Sequence, residues 1–324
     1  MSLPSESARE VPSAPEGARV RGALSHMDHP RVRAGVRLGS EVRRALGEFF
    51  HREGFVEIAP VLVAPVTDPL NHPVADPTVD YYGQPFQLTR SMIFHKQLAM
   101  RAFPRVFVFS PNLRFEPRER SSTGRHLVEF TQVDVEVRDA DREEVMTLAE
   151  RALTHVVDHL AQHARGTLAQ LGRRLPVLSP PFPRRDWRAA RAEHGPEFEM
   201  ALSRESPTPF WLVDIPLPER EFYDREDPAR PGVLRDMDLI YPEGYGEALS
   251  GGEREFELPA ILRRIHAKGQ SVEQFRWYVE AAQAGLPPSA GFGIGVERLV
   301  RWLGGLSDVA ETSLFPKRIG TWSL

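Results

Sequence analysis

Cysteine is missing from this 324-residue chain, and lysine occurs only as Lys96, Lys268 and Lys317. Without cysteine the chain has no disulfides, no thiolate metal site and no cysteine nucleophile. The basic charge is therefore almost entirely arginine, whose planar guanidinium binds carboxylates and phosphates through paired hydrogen bonds. Clusters of arginine with glycine or histidine are the candidate anion sites.

Long apolar runs are missing too. No segment approaches the length of about 20 apolar residues that spans a bilayer, and residues 1–35 contain no signal-peptide core. We therefore expect a cytoplasmic protein with no membrane partner. The net charge is −4 and the pI about 6.3, so the chain as a whole has no electrostatic attraction for nucleic acid.

The chain divides into a short tail and one domain. Residues 1–34 are rich in proline, serine, alanine and arginine without a hydrophobic period, which predicts a flexible N-terminal tail. Residues 35–324 show no internal repeat and no composition shift, so they are predicted to form a single domain. Within it, "FVEIAPVLV" predicts a strand whose Pro60 suits a sheet edge or an interface. The proline- and arginine-rich residues 172–209 allow no assignment.

Two strands are predicted in "RVFVFSPNLRFE" and "LVEFTQVDVEVRD". In the second strand, alternation places three residues on the core face: Val133, Val135 and Val137. The opposite face carries Phe130, Gln132, Asp134 and Glu136.

The turn between these strands is strongly charged. Four arginines, one histidine and two glutamates lie in the run from Arg114 to His126. A solvated charged loop explains such a run but leaves Phe130, on the polar face of the next strand, unexplained. An adenine stacked on Phe130, with Arg114 and His126 holding phosphates, explains both features.

A glycine-rich strand running into a helix is predicted in "GFGIGVERL". Gly291, Gly293 and Gly295 lack the spacing of the dinucleotide fingerprint, and no Gly-Lys-Ser/Thr follows, so no P-loop is predicted. A glycine-packed strand–helix junction is one interpretation. An anion site is the other, because Arg298 lies in the first helical turn, where backbone N–H groups attract anions.

Hard oxygen ligands lie in "MDLIYPEGYGEALSGGERE". Asp238, Glu247 and Ser250 suit Mg²⁺ that carries phosphates. Acidic residues beside glycines are also common in ordinary turns, so this stretch alone does not distinguish a magnesium site from a turn.

Together these stretches resemble the signature motifs of class II aminoacyl-tRNA synthetases, in the aspartyl/asparaginyl subgroup. "FVEIAPVL" resembles motif 1, "LRFE…GRHLVEFTQVDVE" motif 2, "GFGIGVERL" motif 3, and "GEALSGGERE" a further segment of the subgroup. The resemblance covers about residues 35–324. It implies an α+β fold, an antiparallel β-sheet flanked by helices, assembled as a homodimer with Pro60 at the interface.

The resemblance also implies roles for individual residues. An ATP site would contain Arg114, Glu116, Arg125, His126, Leu127, Phe130, Glu247, Gly295 and Arg298. The catalytic groups among these would be Arg114, His126 and Arg298. The amino-acid substrate would contact Ser91, Lys96, Gln132, Asp134, Ser250 and Arg254. Mg²⁺, brought with ATP, would be held by Asp238, Glu247 and Ser250.

Two departures from the subgroup shape the functional hypothesis. Its members carry an N-terminal anticodon-binding barrel, whereas the resemblance here begins near residue 35, so no tRNA substrate is expected. The run Arg90–Ile93 stands where tRNA-charging members have Gln-Ser-Pro-Gln. In this respect the chain resembles the archaeal-type asparagine synthetase-related proteins.

The leading hypothesis is an ATP-dependent ligase that adenylates aspartate at its β-carboxylate and transfers it to ammonia, giving asparagine, AMP and pyrophosphate. Since there is no cysteine for a glutaminase, nitrogen would come as ammonia, as another amine or from a separate protein. Alternatively, the same adenylating chemistry serves another amine, a protein or tRNA. A third hypothesis is a non-catalytic relative. A site that no longer catalyses should have lost at least one phosphate-binding residue, whereas this chain retains the predicted ones.

Overall fold

The computed structural model describes residues 16–72, 74–75 and 78–321. Its helices are α1 Glu16–Asp28, α2 Pro30–Arg52, α3 Ile93–Ala99, α4 Arg142–His163, α5 Arg165–Leu171, α6 Trp187–His194, α7 Phe198–Glu205, α8 Leu258–Ala267, α9 Arg276–Gln283 and α10 Val296–Gly304. Its strands are β1 Val56–Glu57, β2 Val63–Ala64, β3 Thr78–Tyr81, β4 Gln84–Leu88, β5 Arg105–Leu113, β6 Glu129–Arg138, β7 Arg184–Asp186, β8 Phe210–Val213, β9 Asp236–Tyr241, β10 Gly246–Glu253 and β11 Ser289–Gly295.

An eight-stranded sheet in the order β1-β5-β6-β11-β10-β9-β8-β7 forms the centre of the fold. Its interior pairs are antiparallel, while β1 on β5 and β7 on β8 are parallel pairs at the two edges. The predicted α+β fold, a largely antiparallel sheet flanked by helices, is confirmed. The homodimer remains a prediction.

The two faces of the sheet have different environments. Helices α2, α4 and α10 cover one face and share a single buried apolar cluster with it. Val133 and Val135 of β6 point into this cluster with no exposed surface, as the alternation predicts. The polar residues of β6 are therefore directed to the opposite face, where three residues of β6, Phe130, Gln132 and Asp134, line a cavity.

The N-terminal prediction differs from the structure. Residues 16–34, placed in the flexible tail by composition, lie in α1 and the start of α2. Helix α2 begins at Pro30, with a fixed φ suited to the first helical position, and the His29 side chain accepts the Arg31 N–H. Val32 and Ala34 are buried. The rest of the predicted tail, residues 1–15, lies outside the described residues.

Two other segments are more structured than their sequences indicate. Pro60, predicted inside one strand, instead separates the short strands β1 and β2, because proline supplies no N–H to a ladder. The unassigned residues 172–209 contain the edge strand β7 and helices α6 and α7. Within the described ranges, no helix has both the length and the apolar character needed to cross a bilayer.

Candidate functional site

A cavity of about 510 Å³ opens on the sheet face opposite the helices. Fifteen of the sixteen predicted site residues line it, from Arg114 and His126 at one end to Lys96 and Arg254 at the other. The exception, Asp238, lines a second cavity of about 290 Å³. Strands β6, β10 and β11 lie side by side, so the three separate sequence motifs meet on one surface.

Arg298 connects the residues at the end of the cavity where phosphates are predicted to bind. Its Nη1 donates to the Glu247 carbonyl at 2.9 Å and lies 3.6 Å from the Glu247 carboxylate. Its Nε donates to the Arg125 carbonyl at 3.4 Å. Burial and the neighbouring Arg298 charge lower the pKa of Arg125, whose Nε is buried without a partner among the described residues. Closely spaced cations with unused donors are suited to binding an anion.

His126 is an uncharged member of this group. Its Nδ1 lies 2.7 Å from the Thr123 hydroxyl. Burial, with the charges of Arg298 and Arg125, lowers its pKa from 6.5 to about 3. At neutral pH, without a bound anion, the ring is therefore a neutral hydrogen-bonding group and not a third cation.

This low pKa predicts a pH-dependent stability. Between pH 6.5 and about 3, the unfolded chain binds a proton at His126 that the folded chain does not. Stability should therefore fall as the pH is lowered through this window, and His126→Gln should remove this contribution. Urea unfolding at pH 7.5 and pH 5 measures the difference in the free energy of unfolding between the two pH values. The matched control, His266→Gln on the exposed side of α8, should retain the wild-type pH dependence; equal behaviour of both variants would contradict the assignment.

The predicted adenine residues are close together but engaged with other side chains. The Arg114 guanidinium lies over the Phe130 ring, 5.2 Å from its centroid. Glu116 accepts a hydrogen bond from His72 Nε2 at 2.9 Å and pairs with Arg120 at 3.3 Å. A nucleotide base at Phe130 would therefore replace contacts made within the protein. His72 was missed in the sequence because it lies far from the motifs and in no pattern.

Lys96 and Arg254, predicted to bind the amino acid, already have carboxylate partners. Lys96 Nζ lies 3.2 Å from Asp134 and 3.5 Å from Glu136, and is almost fully buried. Arg254 donates to Glu136 at 3.1 Å and to Asp224 at 3.3 Å. The sequence predicts this lysine and arginine as the clamp for a substrate carboxylate. The structure brings them together, but both charges are neutralised by the protein.

Several residues of the site were not found from the sequence. Arg220 donates to Asp238 and lies 3.5 Å from Asp236. Burial, followed by the neighbouring Asp224, raises the pKa of Asp236 far above its ordinary value. Glu199, in the first turn of α7, has a pKa raised to about 7 by burial and by the nearby Glu247 and Asp238. Arg220 follows strand β8 and Glu199 lies in the unassigned segment, so no glycine pattern or spacing marked them.

The residues predicted to hold Mg²⁺ lie on neighbouring strands. Ser250 of β10 stands opposite Asp238 of β9, and Glu247 is on the same strand as Ser250. Asp238 Oδ1 is buried and has no partner in the described part of the chain. This oxygen donor set fits a magnesium ion that takes its other ligands from phosphates and water. Among the described residues, no cluster of three histidine or acidic side chains forms an all-protein metal site.

Comparisons with known proteins support the resemblance read from the motifs. The family model "tRNA synthetases class II (D, K and N)" matches residues 16–319. The asparagine–tRNA ligase of Koribacter versatilis is 32% identical over 89% of this chain and 69% of its own length. That of Thermus thermophilus is 31% identical over 95% of this chain and 76% of its own length. Asparaginyl-tRNA synthetase from Pyrococcus horikoshii, solved with asparaginyl-adenylate, superposes with a TM-score of 0.86 at 25% identity, covering 95% of this chain and 74% of that one.

These relatives correct one expectation and leave another unsupported. The expectation of no tRNA substrate is contradicted, since proteins named for ligating asparagine to tRNA match nearly the whole chain. That expectation rested on the resemblance beginning near residue 35, whereas the family model matches residues 16–319 and the relatives match 89–95% of this chain. The finer resemblance to asparagine synthetase-related proteins receives no support from relatives with tRNA-ligase names.

Proposed function

The chain belongs to the class II tRNA synthetases of the D, K and N group, and we propose that it adenylates asparagine or aspartate with ATP and transfers the amino acid to tRNA. The observation that carries the proposal is the cavity lined together by the residues predicted to bind phosphates and those predicted to bind the amino acid. Its volume of about 510 Å³ is in the range of small-molecule sites.

Adenylation brings two anions together. A carboxylate oxygen of the amino acid bonds to the α-phosphorus, and pyrophosphate leaves with the electrons of the broken bond. Fixed cations lower the repulsion between these groups, a role that we assign to Arg114 and Arg298. Magnesium, when bound at Glu247, Ser250 and Asp238, supplies further neutralisation of phosphate charge.

The acceptor that we propose is tRNA instead of ammonia. The relatives whose names describe asparagine–tRNA ligases cover 89–95% of this chain. The aspartate–ammonia ligase hypothesis was based on two departures from the subgroup, the start of the resemblance near residue 35 and the run Arg90–Ile93. The signature motifs themselves are equally those of an adenylating tRNA ligase. The motifs define activation of the acid, and they do not define the acceptor.

Within the proposed reaction, the charge balance favours asparagine over aspartate. Lys96 and Arg254 have carboxylate partners at 3.1–3.3 Å, so neither has a free charge for a second carboxylate. Asp134 Oδ2 is buried without a partner among the described residues and can accept from an ammonium or an amide. An uncharged side-chain amide suits these surroundings, whereas another carboxylate would be repelled.

Pyrophosphate exchange and tRNA charging test the proposal. We expect ATP–pyrophosphate exchange with Mg²⁺ and asparagine, weaker exchange with aspartate, and aminoacylated tRNA detected by mass spectrometry of the digested product. Exchange at least about tenfold faster with asparagine corresponds to roughly 1.4 kcal/mol of discrimination. Exchange with neither acid would refute the proposal. Free asparagine made from aspartate and ammonium, with no charged tRNA, would restore the ammonia-ligase hypothesis.

A further inference from the structure

Strand β5 carries two polar side chains that are fully buried and line neither cavity. Ser110 and Asn112 have no exposed surface. The Ser110 hydroxyl donates to Asn112 Oδ1 at 2.9 Å, and Asn112 Nδ2 donates to Gln132 Oε1 at 2.5 Å. Mutual hydrogen bonding alone is enough to explain a buried serine and asparagine. This chain of hydrogen bonds, however, ends on Gln132, which lines the cavity of about 510 Å³.

The register of the sheet places these three side chains on one face. Ser110 stands opposite Gln132 in the antiparallel pair of β5 and β6, and Asn112 is two residues further along β5. Side chains that are directly opposite, or two residues apart on a strand, lie on the same face of a sheet. Asn112 therefore reaches Gln132 from beside the cavity and holds only the carbonyl end of its amide.

Two neighbours determine which way the Gln132 amide points. Asn112 binds the carbonyl oxygen, so the nitrogen is directed away from β5. A Cβ added to Gly293 would lie 3.1 Å from Gln132 Nε2 and 3.0 Å from Asp134 Oδ1, so both atoms approach the same point above strand β11. A carboxylate oxygen favours an N–H group at this point and would repel a carbonyl oxygen. The amide is thus held in one orientation.

The amide nitrogen of Gln132 lies in the middle of the predicted site. On β6, Phe130, predicted to bind the base, precedes Gln132 by two residues, and Asp134, the partner of Lys96, follows it by two. A side-chain amide has two N–H groups, so one can be directed to Asp134 and the other to a ligand. Between the base and the amino acid, the ligand group that accepts hydrogen bonds is the carboxylate that attacks the α-phosphorus.

We infer that Asn112 is a positioning residue, which acts through Gln132 to hold an N–H donor at the carboxylate of the amino acid undergoing activation. Ser110 supports Asn112 by donating to its Oδ1. The inference rests on the proposed function and adds two residues to its machinery, neither of which touches the substrate. Because Gln132 acts on the amino acid, the loss of Asn112 should change the Michaelis constant for the amino acid and leave that for ATP unchanged.

Asn112→Leu tests the inference, since leucine is similar in size and has no hydrogen-bonding group. Without its partner, the Gln132 amide is free to turn its carbonyl to the cavity. In ATP–pyrophosphate exchange, KM for asparagine should rise about tenfold, the effect of losing a hydrogen bond to a charged group, while KM for ATP stays within about twofold. Aspartate replaces asparagine as the probe if the wild type prefers it. Asn112→Asp, which can accept but not donate, should raise KM for the amino acid at least as much.

A double-mutant cycle separates positioning from a structural role. In a Gln132→Met background there is no amide to orient, so Asn112→Leu should change KM for the amino acid by less than about twofold. Ser203→Ala is the control for losing a buried hydroxyl, since Ser203 is fully buried, donates to the Tyr241 carbonyl at 2.6 Å and lines neither cavity. It should lower the urea unfolding midpoint alone, whereas Ser110→Ala should also raise KM for the amino acid.

An unchanged KM for the amino acid in a folded Asn112→Leu protein would overturn the inference and leave the proposed function intact. The same rise in both backgrounds, or an equal rise in KM for ATP, would also overturn it, because Asn112 would then act on the sheet and not on the Gln132 amide. Wild-type protein that exchanges with neither acid would overturn the proposed function itself, and the inference with it.

Discussion

Replacing Arg298 by alanine is expected to slow ATP–pyrophosphate exchange by about 10²–10³, equivalent to roughly 3–4 kcal/mol of transition-state stabilisation. Arg298 bridges the Glu247 and Arg125 backbones at the end of the cavity that we assign to the phosphates. Its loss removes a fixed cation where negative charge gathers, and it frees Glu247 from its 3.6 Å partner. Both effects raise the energy of the same step. Initial rates of exchange with asparagine, ATP and Mg²⁺ measure the loss.

The same helix supplies the matched control. Arg301, one turn further along α10, donates to the Ser307 carbonyl at 3.2 Å and lies over the Tyr245 ring, outside both cavities. Arg301→Ala removes the same charge and a similar amount of packing, so exchange should stay within about threefold of wild type. Near-normal exchange in a folded Arg298→Ala protein, or equal losses in the two variants, would remove Arg298 from its assigned role.

The glycine-rich strand illustrates which residue roles could be predicted from the sequence and which could not. Two interpretations of "GFGIGVERL" were open, a packed junction and an anion site, and the geometry assigns them to different residues. A Cβ added to Gly291 would lie 2.1 Å from Glu136 Oε2, so this glycine lets the β6 carboxylate lie against the strand. Arg298, five residues beyond Gly293, lines the cavity instead. Spacing alone could not separate these roles, because they depend on cross-strand register.

The parts of the site that sequence reasoning missed are those without a repeating pattern. Alternation along β6 correctly directed Gln132 and Asp134 to the cavity. Arg220 and Glu199 reach it from a loop after β8 and from α7, in segments with no period. The carboxylate partners of Lys96, a residue of helix α3, were also out of reach, since Asp134 and Glu136 lie on strand β6.

The buried ion network gives the largest expected effect on stability. Glu136 has no exposed surface; it accepts from Arg254 at 3.1 Å and from Ser289 at 2.8 Å, and lies 3.5 Å from Lys96. Glu136→Gln keeps the shape of the side chain but leaves two buried cations with less negative charge around them. Breaking a buried pair in this way should cost about 3 kcal/mol or more. The shift of the urea unfolding midpoint, at unchanged slope, measures this loss.

The same Glu→Gln substitution in an exposed ion pair separates the effect of burial on stability from the effect of losing the charge. Glu143, about half exposed, pairs with Arg184 at 2.5 Å and with Arg142 at 3.4 Å. Because water screens this pair, Glu143→Gln should change the free energy of unfolding by no more than about 1 kcal/mol. Equal shifts for Glu136→Gln and Glu143→Gln would mean that Lys96 and Arg254 are not held by Glu136. Lys96 would then keep only Asp134, and Arg254 only Asp224, as a carboxylate partner, which would weaken the charge argument for asparagine over aspartate.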